Sequence, residues 1–148
     1  MEELYKDFDK TRMSLSLKAD ISELHILACR LEEFAQVSGL PEKILFEINL
    51  VLDELFTNLV SYGCNGVDEH YFNLKIEYDE VELRLIIEDN GKKFNPLEVP
   101  APDIHCDCQD RKIGGLGVHF MRKLMDSVEY FWENGRNYLK LRKKIPVQ

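Results

Sequence analysis

No stretch of this 148-residue chain stays apolar for the length needed to cross a bilayer, and its first ten residues, MEELYKDFDK, hold no apolar core of a signal peptide. The expectation is a cytoplasmic protein with no membrane role. An excess of basic charge is also missing: 27 Asp and Glu outnumber 19 Lys and Arg, for a formal net charge of -8. Nucleic acid is therefore not an expected partner, because phosphate binding needs a net basic surface. Arg136, Lys140, Arg142, Lys143 and Lys144 do cluster, and on a strand-like segment they read most simply as a solvated edge that discourages aggregation. Cysteine is sparse. Cys29, Cys64, Cys106 and Cys108 lack a framework spacing, so reduced thiols are expected. The run His105-Cys106-Asp107-Cys108 brings metal-capable side chains together, but it lacks the second ligand pair of a zinc site. Internal repeats and linkers are absent too, so residues 1–148 read as a single domain.

Enough apolar sequence is present, at 45% hydrophobic residues, to build one sizeable core. The most informative stretch runs from Leu45 to Gly63, LFEINLVLDELFTNLVSYG. At helical spacing Ile44, Ile48, Leu52, Leu55, Leu59 and Tyr62 share one broad apolar face. Glu47, Glu54, Asn58 and Ser61 follow one border of it. A carboxylate and a carboxamide four residues apart project side by side, so a ligand lying along the helix can meet both. On this helix alone, solvation or a hydrogen bond between Glu54 and Asn58 is the commoner explanation of such residues.

Before that helix, Met13, Leu15 and Leu17 alternate as a short strand over Thr11 to Leu17. Asp20 or Ser22 can then cap a helix reaching Val37, with Ile21, Leu24, Leu27, Ala28, Leu31 and Phe34 as its buried stripe. Ser38-Gly39-Leu40-Pro41 breaks the chain: Gly39 suits a left-handed helix end and Pro41 the first turn of the next helix. Behind Gly63, Asn65-Gly66 signals a turn. Two strands follow, with Phe72, Leu74, Ile76 and Tyr78 on one inward face and Val81, Leu83, Leu85 and Ile87 on the other. Asp89 continues that odd-numbered parity, which aims a carboxylate into an aliphatic layer, costly unless something donates hydrogen bonds to it. Alternatively the strand ends one residue early and Asp89 opens a turn with Asn90-Gly91.

From Lys92 to Ile113 no period is visible, as expected of a functional or mobile loop. It closes on Gly114-Gly115-Leu116-Gly117 ahead of a helix whose inward residues are Val118, Met121, Leu124 and Met125. Glycines at a helix entry let backbone N-H groups approach phosphates; a flexible turn explains them as well. Strands over Ser127 to Trp132 and Arg136 to Ile145 are joined at Asn134-Gly135, a strong hairpin signal.

The order of these signals, DELFTNLVSYG (53–63), IIEDNGKKFNP (86–96) and IGGLGVHFMRKLMD (113–126), resembles the ATP-binding module of the GHKL superfamily, which includes gyrase B, Hsp90, histidine kinases and MutL. Spacing and length are most similar to the bacterial anti-sigma factor serine/threonine kinases. The resemblance implies an α+β fold, a two-layer sandwich of the Bergerat type with a mostly antiparallel sheet and helices on one face. It implies Mg-ATP as ligand. Asn58 would hold Mg²⁺, Asp89 would accept from the adenine amine, and Gly91 would let the base approach the strand end. Gly114, Gly115, Leu116 and Gly117 would cradle phosphates, and Glu54 would act as general base toward a protein hydroxyl. The implied partners are a sigma factor, held by a homodimer of this chain, and a STAS-type anti-anti-sigma protein phosphorylated on serine or threonine. The sequence departs from the family pattern at Lys93, where a second glycine is usual: either the loop turns less tightly or Lys93 touches phosphate instead. That departure keeps open a second reading, a nucleotide-gated binding module that sequesters a partner without transferring phosphate. A histidine-kinase role is not expected, since no upstream helix pair carries a phosphoaccepting histidine.

Overall fold

Alternation of apolar and polar side chains builds five strands: β1 (Arg12–Lys18), β2 (Tyr71–Tyr78), β3 (Glu82–Asp89), β4 (Ser127–Glu133) and β5 (Arg136–Lys144). They pair, all antiparallel, in the order β1-β2-β3-β5-β4. The computed structural model describes residues 11–64, 69–98 and 115–146. Asn134 and Gly135 both take left-handed backbone, at φ 52° and 75°, which is the twist that a two-residue hairpin between β4 and β5 requires. Phe72, Leu74, Ile76, Leu83, Leu85, Ile87, Leu139 and Leu141 line the inner face and are buried. Val81 does not join them: it lies ahead of β3 and is 71% exposed.

Three helices, α1 (Leu24–Ser38), α2 (Glu42–Asn58) and α3 (Gly115–Leu124), cover that inner face, making an α+β two-layer sandwich. Asp20 Oδ1 accepts from Ser22 N at 3.0 Å and caps a 3₁₀ turn that leads into α1. Gly39, at φ 78°, ends α1 and donates its N-H to Ala35 O at 2.9 Å. The buried stripe of α1 is Leu27, Leu31, Phe34 and Ala35. Ile21 and Ala28, expected within it, are exposed. Ile21 sits in the 3₁₀ turn, out of phase with the α-helix, and Ala28 is a full 100° step around the helix from Leu27. Along α2, Ile44, Ile48, Val51, Leu52 and Phe56 are buried, and Phe56 meets Phe72 edge to face at 5.3 Å between ring centroids. None of the described helices is long and apolar enough to cross a membrane.

The basic cluster of the last strand is not at a sheet edge. β5 lies between β3 and β4, and its cations point two ways. Arg136 pairs with Glu88, and Arg142 with Glu82 at 3.4 Å, on the open face. Lys143 instead bridges the layers: its Nζ donates to Leu124 O at 2.5 Å and lies 2.9 Å from Glu47 Oε2.

Candidate functional site

Where α2 ends, the backbone widens into a π-helical turn, Leu59–Gly63, before Cys64 becomes extended. Such turns leave the regular ladder and often mark functional sites. Cys64 Sγ donates to Leu59 O at 3.2 Å, and burial, reinforced by the nearby Asp89, pushes this thiol up from its ordinary range. Beneath the turn opens a cavity of about 250 Å³ between the end of α2, the inner face of the sheet and the segment after β3. Leu55 and Tyr62, expected in the core, line this cavity instead, and Tyr62 is 50% exposed. Leu55 keeps its helical phase and packs against the edge of the core where the cavity opens, while Tyr62 belongs to the π turn.

Asp89 is at the cavity's sheet side, and both sequence readings of it hold at once. β3 extends through Asp89, which pairs with Phe72 on β2 and Asn137 on β5, so its side chain keeps the inward parity. Its Oδ1 also accepts from Gly91 N at 2.9 Å, which begins the turn. Asn137 Nδ2 donates to the same oxygen at 3.0 Å. Burial raises the carboxyl's pKa above the ordinary carboxylate range; the hydrogen bonds from Asn137 and Gly91 and the charge of nearby His70 offset it only in part. Asn90 is used elsewhere: its Oδ1 accepts from Tyr71 N at 2.8 Å and its Nδ2 donates to Glu69 O at 3.1 Å, tying the strand end to β2.

Gly91 permits a close approach. A β-carbon there would lie 2.6 Å from Leu59 Cδ1 and 3.0 Å from Gly63 O, so no side chain fits. Lys92 N then donates to Gly63 O at 2.9 Å, joining the β3 end to the π turn. Lys92, Lys93 and Phe94 carry the chain along the cavity rim. The lining thus combines one carboxylate and two lysines with aliphatic and aromatic side chains, among them Phe72, Ile87, Leu139 and Tyr130. A ligand that carries an apolar ring, a hydrogen-bond donor for the carboxylate and anionic groups for the lysines matches this composition.

Of the residues singled out from the sequence, Asn58, Asp89 and Lys93 line this cavity, and Gly91 forms the turn beside it. Glu54 is half-buried one helical turn before Asn58 and is not among the lining residues. Gly115, Leu116 and Gly117 form the first turn of α3. Gly114, the Asn65-Gly66 turn and the His105–Cys108 run lie outside the described residues. Among the described residues no group of three or more His, Cys, Asp or Glu could hold a metal ion. Asn58 nonetheless offers a neutral oxygen at the cavity wall, a donor suited to a magnesium ion whose other ligands are phosphate oxygens. Sequence reasoning missed Asn137, which is 6% exposed. A signal was there: an amide stands in the inward row that Leu139 and Leu141 continue.

Helices on one face of an antiparallel sheet, with a carboxylate-floored cavity at the end of the central helix, define the two-layer ATPase sandwich. This chain belongs to the histidine kinase-like ATPase domain family, whose model matches residues 17–143. It is similar to the serine/threonine-protein kinase BtrW of Bordetella bronchiseptica, at 28% identity over 134 residues, covering 86% of this chain and 94% of that protein. It is also similar to the anti-sigma F factor of Clostridium perfringens, at 24% identity over 100 residues, covering 68% and 71% of the two chains. A crystal structure of the RsbU and RsbW domains of Rv1364c from Mycobacterium tuberculosis superposes with a TM-score of 0.64 at 14% identity. It covers 90% of this chain, which spans 32% of that longer one, and the likeness there is one of fold.

Proposed function

We propose that this chain binds Mg-ATP in the cavity below the π turn and acts as an anti-sigma regulator that phosphorylates a serine or threonine of a STAS-type anti-anti-sigma partner. The observation that carries the reading is the buried Asp89 carboxylate, held by Gly91 N and Asn137 in a cavity that Asn58, two lysines and apolar side chains also line. Asp89 accepts from the adenine amine, and Gly91 brings the backbone close enough for the ring to lie on the strand end. Asn58 would hold a magnesium ion, which when bound would supply positive charge to offset that developing on the phosphates. The phosphate-binding role expected of Lys93, Gly114, Gly115, Leu116 and Gly117 is part of this reading; Lys93 lines the cavity, and Gly115, Leu116 and Gly117 form the first turn of α3. Glu54 takes the proton of the incoming hydroxyl. A homodimer of the chain holds a sigma factor in the cytoplasm, and nucleotide state decides between that client and the anti-anti-sigma partner, which phosphorylation keeps away. Kinship with a protein kinase and with an anti-sigma factor supports both halves of this reading.

A second reading has its own support. Glu54 is not among the lining residues of the cavity, and Lys93 departs from the glycine that the family resemblance leads one to expect, which favours a nucleotide-gated binding module that transfers no phosphate.

Calorimetric titration of Mg-ATP into the unaltered chain, Asp89→Asn and Asn58→Ala tests the site. Binding to the first, loss in the second and loss of magnesium dependence in the third are expected. Unaltered melting under saturating Mg-ATP would refute nucleotide binding, since ligand at 100 times its dissociation constant adds about 2.7 kcal/mol of stability. Intact mass of a candidate anti-anti-sigma protein after incubation separates kinase from binding module.

A further inference from the structure

All four hydrogen-bonding positions of the Asn137 carboxamide are filled. Nδ2 donates to Asp89 Oδ1 at 3.0 Å and to Lys92 O at 2.8 Å. Oδ1 accepts from Phe94 N at 3.0 Å and from the Tyr130 hydroxyl at 2.6 Å. A buried amide at full capacity is rigid, because any rotation of it strands a donor or an acceptor. Its bonds go to two different parts of the cavity. At the sheet, Asn137 and Gly91 N together occupy Asp89 Oδ1, which leaves Oδ2 as the oxygen free to meet a ligand. At the rim, Lys92 O and Phe94 N are the backbone groups on either side of Lys93, so the peptide carrying that cation hangs from the same side chain.

We infer that Asn137 is a positioning residue that couples recognition of an amino-bearing purine by Asp89 to recognition of phosphate by the Lys92–Phe94 turn, an assignment resting on the nucleotide reading above. An amide suits this role because its two donors reach two acceptors, carboxylate and carbonyl, while its oxygen takes both a backbone N-H and a phenol. A hydroxyl has one donor and so cannot serve Asp89 and Lys92 O together. Asn137 lines the cavity, but its four hydrogen-bonding positions are taken up by Asp89, Tyr130 and the turn, so it acts on the ligand through Asp89 and through the peptide that carries Lys93.

The test compares ATP with purine riboside triphosphate, which lacks the exocyclic amine, by calorimetry on the full chain. Both are titrated into the unaltered protein, Asn137→Ala and Asn137→Thr, each with and without Lys93→Ala. The unaltered protein is expected to favour ATP about tenfold, the worth of one hydrogen bond to a charged group. In Asn137→Ala that preference should shrink to about twofold, and Lys93→Ala should weaken binding several-fold less than it does in the unaltered chain, a non-additivity reporting the coupling. Asn137→Thr, which keeps one donor and one acceptor, should fall between, and it supplies the measurement if the alanine variant does not fold. A merely structural Asn137 weakens both triphosphates by one common factor and leaves the cost of Lys93→Ala unchanged; that result overturns the inference while ATP binding to the unaltered chain keeps the site reading intact. Failure of the unaltered chain to bind ATP overturns both.

Discussion

Leu59 and Gly91 face each other so closely that a β-carbon on Gly91 would lie 2.6 Å from Leu59 Cδ1. The contact joins the π turn to the end of β3, and the hydrogen bond from Lys92 N to Gly63 O runs alongside it. Gly91→Ala is expected to destabilise the fold by about 1–3 kcal/mol, the usual cost of overpacking, because Gly63 O offers no flexible end that could yield. Chemical denaturation measures it. A smaller variant at the other partner, Leu59→Ala, should restore room in the double mutant, so that its cost is less than the sum of the single ones.

Asp89 makes nucleotide binding pH-dependent. Burial raises its folded-state pKa, so over the window between the unfolded value and that raised value the native chain binds more protons than the unfolded one. Stability of the free protein from this group therefore increases as pH falls through the window. Affinity for ATP moves the other way, since an amine donor favours the ionised carboxylate. Binding should weaken on acidification from a higher pH than an ordinary exposed Asp would set, and calorimetry across a pH series should show that slope. Retention of the same slope in any residual binding by Asp89→Asn would assign it to another group.

Lys143 and Glu47 form a nearly dry pair, with side chains 13% and 12% exposed, between β5 and α2. Lys143→Met leaves a buried carboxylate without its cation and strips Leu124 O of its donor; it should cost about 3 kcal/mol. Replacing Glu47 by Met as well should recover most of that loss, because a well-packed apolar pair avoids desolvating two charges. Urea midpoints of the two variants decide between these outcomes.

Glu54 divides the two functional readings. Glu54→Gln is expected to keep ATP affinity within about twofold while phosphotransfer falls by about a hundredfold or more. Phosphotransfer that survives undiminished removes Glu54 as the base. No transfer by the unaltered chain to any anti-anti-sigma partner leaves the nucleotide-gated module.

Much of the fold is visible in spacing alone. The inward rows of β2 and β3, the hairpin at Asn134-Gly135, the Asp20 cap of the 3₁₀ turn and the end of α1 at Gly39 are local matters of side-chain alternation, left-handed backbone and capping. Asp89 is legible for the same reason, since parity along a strand tells which way a side chain points. Ile21 departs from the expected stripe because a 3₁₀ turn shifts angular phase without changing composition. Val81 departs from the inward row because alternation continues one residue past the point where pairing begins.

What the sequence by itself determined is the face on which most residues of the regular elements lie, because face follows from the backbone's own period; Ile21, Ala28 and Val81 are the departures. Only the tertiary structure decided what that face meets. Leu55 shares the apolar face of α2 with Leu52, yet it lines a cavity, as does Tyr62 in the π turn, while Leu52 and Phe56 fill the core. The basic strand became interior because β5 returns between β3 and β4, a choice of neighbours made across the whole chain. Asn137 acquired its role in the same way, from partners 43 to 48 residues away in sequence that no local pattern can bring together.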